Sequence, residues 1–148
     1  MLCPNCGNGD TKVVDSRSSD DDTSIRRRRE CLECGARFTT YERIEQAPVM
    51  ILKKDGSVEP FDKQKLLRSL LTCTAKRRIT LEQLTNLVQN VENEVREKYR
   101  KEVSSQVLGD TVLKHLVDLD KVAYIRFASV YKDFQNLNEF NEELSRLS

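Results

Sequence analysis

The sequence of 148 residues contains no tryptophan, one histidine, three prolines and five glycines. No apolar run approaches the length of about 18 residues that indicates a membrane-spanning helix, and no basic N-terminal stretch leads into an apolar segment. The formal net charge is +1, so the overall charge indicates neither a nucleic-acid nor a membrane partner. We therefore expect a soluble, cytoplasmic protein of one ordinary domain or two small ones, in which any binding of an anionic partner depends on local charge.

The sequence also lacks the short motifs of common enzyme classes. It contains no GxxxxGKS/T phosphate loop, no GxGxxG dinucleotide motif and no GxSxG nucleophile motif. The single histidine, His115, stands alone in a helical pattern, and we expect it to be a surface or boundary residue. A nucleotide-using enzyme is nevertheless an alternative, which an absence of nucleotide turnover would exclude.

The five cysteines are distributed unevenly, with Cys3, Cys6, Cys31 and Cys34 in the first quarter of the chain and Cys73 alone. The first four form two CxxC pairs 24 residues apart, which is typical of a structural zinc ribbon. Four thiolates leave zinc no open position for substrate, so we expect one structural ion whose removal unfolds residues 1 to about 45. Two redox CxxC pairs are the alternative, and Cys73 is read as an apolar filler or a reactive thiol.

Four consecutive arginines, Arg26 to Arg29, precede the second cysteine pair. A zinc ion with four thiolates has a net charge of minus two, which accounts for one or two of them. Alternate residues of a strand face opposite sides, so at least two must point away from the metal. Guanidinium groups suit phosphates and guanine edges, and Thr39, Thr40 and Tyr41 add hydroxyl donors and an aromatic ring. The pattern favours nucleic-acid binding.

Residues 1–46 contain eight basic and nine acidic residues, so surface ion pairs are the alternative interpretation of these arginines. DNA binding requires the acidic residues to be segregated in the turn around Asp20, Asp21 and Asp22. A module that contacts protein instead of DNA is a further alternative. One ribbon is small for specific DNA recognition, which implies an oligomer.

From Ala47 the composition changes, and VMILKK, an Asp-Gly pair and SVEPF predict a β-hairpin. Four helices are predicted after it, starting near Asp62, Thr80, Ser104 and Val122, with a capping box of Thr80 and Gln83. The residues expected to face the core are Leu66, Leu67, Leu70, Leu71, Leu81, Leu84, Val88, Val91, Val95, Val107, Leu108, Val112, Leu113, Leu116, Val122, Ile125, Phe127, Val130, Tyr131 and Phe134. An amphipathic tail from Asn138 either packs as a terminal helix or closes an oligomer interface.

The predicted fold class is α+β, with a small N-terminal zinc-ribbon domain of β-structure followed by a mainly helical domain with a short hairpin. Lysines concentrate at this hairpin, with Lys53 and Lys54 before the turn and Lys63 and Lys65 in the first helical turn after it. Cations at a helix N-terminus oppose its dipole, which a shared anion such as phosphate would offset. Lysines on a solvated face are the alternative.

The segments CPNC, VVDSR, IRRRRECLECGARFTTYE, KKDG with EPFDK, and VAYIRFASVYKDF resemble the NrdR family, bacterial repressors of ribonucleotide reductase genes. The resemblance extends from Met1 to about Phe134. It implies a zinc-ribbon DNA-binding domain at 1–46, an ATP-cone nucleotide-binding domain at 47–136 and a helical tail at 137–148. The implied protein is a cytoplasmic, nucleoid-associated repressor without enzyme activity. It would bind operator repeats in double-stranded promoter DNA as a homo-oligomer controlled by ATP and dATP.

The resemblance also implies roles for individual residues. Val49 and Ile51 would flank the base, and Tyr131 would lie near the nucleotide. The residues implied to bind phosphates are Lys53, Lys54, Gly56 and Lys65. Those implied to bind DNA are Lys12, Arg17, Arg26, Arg27, Arg28, Arg29, Arg37, Thr39 and Thr40. Lys54 stands where the family usually has arginine, which keeps the charge but loses the planar fork, and Arg78 stands where proline is common.

Overall fold

The computed structural model describes all 148 residues, which divide into two compact units, Met1–Ala47 and Pro48–Ser148. We call them unit 1 and unit 2. The fold is mixed, with strands and a four-cysteine cluster in unit 1 and five helices beside a small sheet in unit 2, which confirms the predicted fold class. No helix of the chain has the length and apolar character needed to cross a membrane.

Unit 1 is a three-stranded antiparallel sheet in which β2 (Ser24–Cys31) lies between β1 (Thr11–Ser18) and β3 (Arg37–Arg43). The arginine run therefore occupies the central strand, paired on both sides. A β-bulge at Val14 shifts the register of β1 against β2. One extra residue in a strand reverses the facing of every residue beyond it, so the bulge decides which side chains of β1 share a face.

Unit 2 contains a second three-stranded sheet, in which β4 (Met50–Leu52) pairs with β5 (Val58–Pro60) and with β6 (Glu102–Ser104). The β4–β5 pairing is the predicted hairpin, closed by an Asp55–Gly56 turn in which Gly56 has φ +86°. The β4–β6 pairing is parallel and was not predicted. Because β6 has only three residues, it offers no alternating pattern long enough to recognise in the sequence.

Unit 2 also contains five helices, which are, in chain order, α1 (Lys63–Cys73), α2 (Leu81–Tyr99), α3 (Ser105–Leu119), α4 (Lys121–Tyr131) and α5 (Leu137–Arg146). Each begins after a polar residue whose side chain accepts hydrogen bonds from backbone N–H groups of the first turn. These N-cap residues are Asp62, Thr80, Ser104, Asp120 and Asn136. The predicted capping box of Thr80 and Gln83 is confirmed. Such caps satisfy backbone donors that the helix itself leaves free.

The core of unit 2 joins the small sheet to the inner faces of the helices. Its buried residues are Val49, Ile51, Leu70, Leu84, Leu87, Val88, Val91, Val95, Val103, Val112, Leu116 and Ala123. Burying each larger apolar side chain contributes about 1.5–3 kcal/mol, so this cluster supplies most of the driving force for folding unit 2.

Four residues predicted to face the core are exposed instead. Leu71 and Leu81 lie at the edges of their helical stripes, Val122 is partly exposed and Val130 is 82% exposed. Helix α4 also ends at Tyr131, so Phe134 lies beyond it and packs edge-to-face on Phe140 of α5. The sequence stripe of α4 is apolar on several sides, and periodicity alone could not show which side faces the core.

The tail helix α5 packs on its own unit. Glu143 is buried and accepts hydrogen bonds from the Tyr124 hydroxyl, the Lys132 ammonium and the Arg146 guanidinium. These contacts give a buried carboxylate the partners that it needs. Helix α5 therefore packs on its own unit through Glu143, and a role of its outer face in an oligomer interface stays a prediction.

Candidate functional sites

The four cysteines of unit 1 meet at one point although 24 residues separate the two pairs. The sulfur atoms of Cys3 and Cys34 lie 3.6 Å apart, as do those of Cys6 and Cys31, and all four Sγ atoms lie within 4.8 Å of one another. Zinc–sulfur bonds of about 2.3 Å in a tetrahedron place neighbouring sulfurs about 3.8 Å apart. The cluster therefore fits a zinc ion held by four cysteines.

Two similar backbone turns present these sulfur atoms. The Gly7 N–H donates to the Cys3 carbonyl and the Gly35 N–H to the Cys31 carbonyl, and both glycines have positive φ, +74° and +71°. Only glycine adopts that conformation without a steric penalty, which explains a glycine after each CxxC pair. The Asn5 backbone N–H also points at the Cys3 sulfur, 3.4 Å away.

The electrostatics of the cluster favour a cation. Hydrogen bonds from the Ala36 backbone and the Asn5 side chain lower the pKa of Cys34 to about 6. The Asn8 backbone amide lowers the pKa of Cys6, but desolvation and the three neighbouring thiols outweigh it and raise that pKa to about 12. Four adjacent thiols cannot all ionise without a compensating positive charge, which a divalent metal ion supplies.

The strand register divides the four arginines between the two faces of the sheet. Arg26 and Arg28 share one face, with Arg26 opposite Arg17 and Tyr41, and Arg28 opposite Thr39. This face, which we call the basic face, carries six basic side chains, Lys12, Arg17, Arg26, Arg28, Arg37 and Arg43, and two acidic ones, Asp15 and Glu30. Its formal charge is therefore +4, within a unit whose total charge is close to zero.

The basic face is held in place by short-range contacts. Glu30 accepts from Lys12 at 3.2 Å and from Arg37 at 2.8 Å, which lowers the pKa of Glu30 below its ordinary value. Arg28 donates to the Thr39 hydroxyl at 2.9 Å. Exposed ion pairs of this kind contribute little free energy to folding. They therefore orient the basic side chains and leave them available to another anion.

Arg27 and Arg29 occupy the opposite face together with Thr40. Arg27 donates to Glu42 at 2.7 Å and to the Ser16 hydroxyl at 3.3 Å, and Arg29 donates to Thr40 at 3.2 Å. These hydrogen bonds join β2 to β1 and to β3, so the two arginines link the three strands on the face opposite the basic face. The alternation of the strand therefore places two of the four arginines on each face of the sheet.

Three of the nine acidic residues of unit 1 lie together in one turn, whereas Asp15 and Glu30 lie on the basic face, so the segregation that DNA binding was expected to require is only partial. Asp20, Asp21 and Asp22 lie in the turn between β1 and β2, and Asp21 accepts from the Ser19 hydroxyl and the Thr23 amide. These hydrogen bonds lower the pKa of Asp21 from 3.8 to about 2, so its carboxylate stays charged in more acidic solution than an ordinary aspartate does. The turn is therefore acidic while the strands carry the basic face.

Unit 2 contains a cavity of about 400 Å³ between the hairpin and the helices α1, α3 and α4. We call it the lysine cavity, because Lys53 and Lys65 line it. Its apolar walls come from Ile51, Phe61, Leu66, Leu108 and Phe127, and its other polar residues are Glu59, Asp62, Ser69 and Ser105. A concave, mostly apolar site with a few charged groups is the usual form of a small-molecule site, and its volume lies in the usual range.

The lysines at the start of α1 have protein partners. Lys65 binds Glu59 at 2.8 Å, whereas Lys63 binds Glu92 and Gln89 on the helix α2. Lys63 does not line the lysine cavity. Of the two lysines in this first turn, Lys63 therefore links α1 to α2, whereas Lys65 faces the lysine cavity.

A second cavity of about 360 Å³ lies along α3, α4 and α5, and we call it the tail cavity. Lys54 and Tyr131 line it, together with Gln106, Asp110, Lys132, Phe134, Glu139, Glu142, Glu143 and Arg146. The rings of Phe127 and Tyr131 stack with centroids 6.0 Å apart, so one aromatic pair contributes a ring to each cavity. The hairpin likewise contributes Lys53 to the lysine cavity and Lys54 to the tail cavity.

The position of Tyr131 depends on Gly109. A Cβ atom on Gly109 would overlap the Tyr131 ring, and the Tyr131 hydroxyl donates to the Gln106 carbonyl. Desolvation, with the nearby Asp110 charge, raises the pKa of Tyr131 to about 12, so this phenol is a neutral donor at physiological pH. The missing side chain at Gly109 is what allows the ring to pack on α3.

The nucleotide-binding residues named from the sequence are thus distributed over several environments. Ile51, Lys53 and Lys65 line the lysine cavity, Lys54 and Tyr131 line the tail cavity, Gly56 forms the hairpin turn and Val49 is buried in the core. Glu59, Phe61 and Phe127 also line the lysine cavity and were not predicted as site residues from the sequence. A carboxylate three residues before Asp62, the cap of the first helix, was the available signal for Glu59.

Comparison with known protein families matches both units. Residues 1–42 match the model described as "Transcriptional repressor NrdR-like, N-terminal domain", and residues 49–137 match the model described as "ATP cone domain". Each matched segment falls within one compact unit.

Full-length relatives agree with these matches. The chain is 51% identical to the transcriptional repressor NrdR of Pediococcus pentosaceus, over 97% of this chain and 92% of the relative. The protein of the same name from Enterococcus faecalis is 49% identical over 97% of this chain and 90% of its own. That of Caldicellulosiruptor saccharolyticus is 44% identical over 99% and 96%.

Proposed function

Because this chain belongs to the NrdR family of transcriptional repressors, we propose that it represses ribonucleotide reductase genes in response to adenine nucleotides. It would bind operator repeats in double-stranded promoter DNA through unit 1 and bind dATP or ATP in unit 2. The observation that carries the proposal is a strongly basic sheet face on a four-cysteine ribbon, joined in one chain to an ATP-cone unit with a lysine-lined cavity.

The DNA contacts are proposed to come from the basic face. Guanidinium groups of Arg17, Arg26, Arg28 and Arg37 and the Lys12 ammonium would contact phosphates and base edges. Thr39 and Tyr41 lie among them and supply hydroxyl donors. Arg43 lies 5.3 Å over the centre of the Tyr41 ring and joins this set, although it was not among the DNA contacts predicted from the sequence.

Arg27, Arg29 and Thr40 were predicted from the sequence to contact DNA, but their place on the opposite face favours a supporting role. Their hydrogen bonds to Ser16, to Glu42 and to one another tie β1, β2 and β3 together. A rigid sheet keeps the basic side chains at fixed spacing, which lowers the entropy cost of binding.

One zinc ion, held by Cys3, Cys6, Cys31 and Cys34, is proposed to have a structural role. Zinc bound by four cysteines is a closed site, and it links the two CxxC turns of a unit too small to build a large core. The chain would therefore act as a regulator and not as an enzyme, working in the cytoplasm beside the chromosome.

In unit 2, the apolar walls of the lysine cavity suit a purine base, and Lys53 and Lys65 suit the phosphates. Lys54 and Tyr131 would contact the same nucleotide from the neighbouring wall. dATP and ATP are proposed to favour different homo-oligomers, of which the dATP-bound form binds the operator repeats. Such a switch requires only that each nucleotide has unequal affinity for the two assemblies.

The nucleotide site is tested by isothermal titration of dATP into the zinc-loaded protein. The variant Lys65→Ala should weaken binding by about tenfold or more, because a charge-assisted contact contributes about 1.5–3 kcal/mol. Lys63→Ala is the matched control, since Lys63 lies in the same helical turn but binds Glu92. Equal affinity of Lys65→Ala and Lys63→Ala for dATP would contradict the proposed site.

A further inference from the structure

The connection between α1 and α2 contains three consecutive basic residues, Lys76, Arg77 and Arg78, which we call the basic loop. All three are exposed, and no acidic residue lies between the two helices. They line a cavity of about 360 Å³ in which Asp120 is the one carboxylate among the lining residues. Arg126 of α4 contacts the same loop and adds a fourth cation. Four cations and one carboxylate give this surface a formal charge of +3.

Hydrogen bonds and apolar packing fix the backbone of the basic loop. The Arg126 guanidinium donates to the Ala75 carbonyl at 2.8 Å, and the Arg77 N–H donates to the Thr74 carbonyl at 2.9 Å. Ile79, directly after the loop, packs against the core of unit 2. A loop that is already ordered loses little conformational entropy when it binds a ligand.

Arg77 is neutralised within the protein, whereas its two neighbours are not. Its Nε and Nη2 atoms lie 2.9 and 2.8 Å from the Oδ2 atom of Asp120. Lys76 and Arg78 make no side-chain hydrogen bond or ion pair. Their two charges are therefore available to an anion from outside the unit.

A second pair of exposed cations has different surroundings. Arg100 and Lys101 follow α2 and also make no side-chain ion pair. Glu97 and Glu102 flank them in the sequence, so the formal charge of these four residues is zero. The two pairs carry equal charge, which makes Arg100 and Lys101 a matched comparison for the basic loop.

We propose that Lys76 and Arg78 bind phosphates of the DNA backbone, so that unit 2 adds sequence-independent contacts to the promoter complex; this inference rests on the proposed function. Ammonium and guanidinium groups bind phosphate oxygens at any DNA sequence. Unit 1 is joined covalently to unit 2, so binding of an operator by unit 1 raises the effective concentration of phosphates around unit 2. Contacts too weak to hold DNA alone then contribute to affinity.

The test is fluorescence anisotropy of labelled promoter DNA and of scrambled DNA of equal length, with full-length, zinc-loaded protein and dATP. The double variant Lys76→Ala/Arg78→Ala should bind both DNAs on the order of tenfold more weakly near 0.1 M salt. The slope of log affinity against log salt should fall by about two, because two phosphate contacts are lost. Lys76→Arg/Arg78→Lys keeps both charges and should bind DNA within about twofold of the unmodified protein.

Arg100→Ala/Lys101→Ala is the control, because it removes the same charge from the same unit, and it should change DNA affinity by less than about twofold. The affinity for dATP should be unchanged in both alanine variants, since none of the four residues lines the lysine cavity or the tail cavity. Equal thermal unfolding temperatures show that the fold is kept.

Three results would overturn the inference. The first is equal DNA binding by Lys76→Ala/Arg78→Ala and the unmodified protein, and the second is an equal loss in the control variant, which indicates a general effect of charge. The third is a change of oligomer mass in light scattering for Lys76→Ala/Arg78→Ala alone, which assigns the basic loop to a contact between copies. If the unmodified protein does not distinguish promoter from scrambled DNA, the proposed function itself fails.

Discussion

Arg27 and Arg28 are consecutive in β2, yet their side chains leave opposite faces of the sheet and have different partners. Arg28 donates to the Thr39 hydroxyl at 2.9 Å, among the residues of the basic face. Arg27 donates to the Glu42 carboxylate at 2.7 Å on the other side. Two adjacent residues of one type therefore provide a test of which face binds DNA.

We expect Arg28→Ala to weaken binding to a promoter fragment by about 1–3 kcal/mol, or roughly 5- to 150-fold. The slope of log affinity against log salt should fall by about one, because one phosphate or base contact is lost. The measurement is fluorescence anisotropy of labelled DNA at several salt concentrations. Arg27→Ala should change affinity and slope much less, since its partner is Glu42.

Zinc content serves as the check on folding for both variants, since neither arginine is a metal ligand. A larger loss of affinity in Arg27→Ala than in Arg28→Ala would assign the DNA to the opposite face. Equal binding of both variants and the unmodified protein would favour a protein partner for unit 1.

Removal of one zinc ligand should unfold unit 1 and leave unit 2 folded. We expect Cys31→Ser to reduce bound zinc from about one ion per chain to near zero and to make residues 1 to about 45 sensitive to protease. The helical circular dichroism signal should persist, because all five helices lie in unit 2. Cys73→Ser is the control, and it should retain zinc because Cys73 is buried in unit 2. A protease-resistant, zinc-free Cys31→Ser protein would refute the structural role of zinc.

Gly109→Ala should destabilise unit 2 by about 1–3 kcal/mol, although alanine is the better helix former, because the added methyl overlaps the Tyr131 ring. Urea unfolding followed by circular dichroism measures the effect. In a Tyr131→Ala background the same substitution has no ring to displace, so its cost should largely disappear. Additive effects of the two substitutions would show that the contact is unimportant.

The carboxylate of Glu94 makes unit 2 sensitive to acid. Hydrogen bonds from Lys98, Lys114 and His115 lower the pKa of Glu94 from 4.5 to about 2. Because the folded-state pKa is the lower one, the ionised group stabilises the fold above about pH 4.5, and this contribution disappears as the pH falls towards 2. Glu94→Gln should therefore lose about 1 kcal/mol of stability at pH 6 and much less near pH 2.5.

Urea unfolding of Glu94→Gln and of the control Glu97→Gln across that pH range measures the difference. The free energies of unfolding of Glu94→Gln and the unmodified protein should converge at low pH. A constant difference between them at all pH values would show that Glu94 contributes by packing and not by charge.

The four cysteine ligands could be predicted from spacing, because a closed zinc site constrains residue type and separation strongly. The basic face could not be. Lys12 and Arg17 are an odd number of residues apart, so strict alternation places them on opposite faces, and only the bulge at Val14 brings them together. A one-residue bulge has no reliable signature in a single sequence.

The helices were predicted well where both a cap and a stripe were present, as at Thr80 and Gln83. Exposure was predicted poorly in α4, where Val130 is 82% exposed, because its apolar residues do not define one face. The ion pairs of Glu59 were also not predictable from the sequence. Its two lysine partners come from another strand and from a helix, and only the folded hairpin brings them within 3 Å of it.

The most direct test of the proposed function is the affinity of zinc-loaded protein for its own ribonucleotide reductase promoter fragment, titrated with dATP and with ATP at one fixed salt concentration. Scrambled DNA of equal length is the control, because non-specific phosphate binding depends strongly on salt. The proposal predicts tight, sequence-dependent binding with dATP that ATP weakens. Weak binding that is equal on both DNAs and insensitive to nucleotide would contradict it.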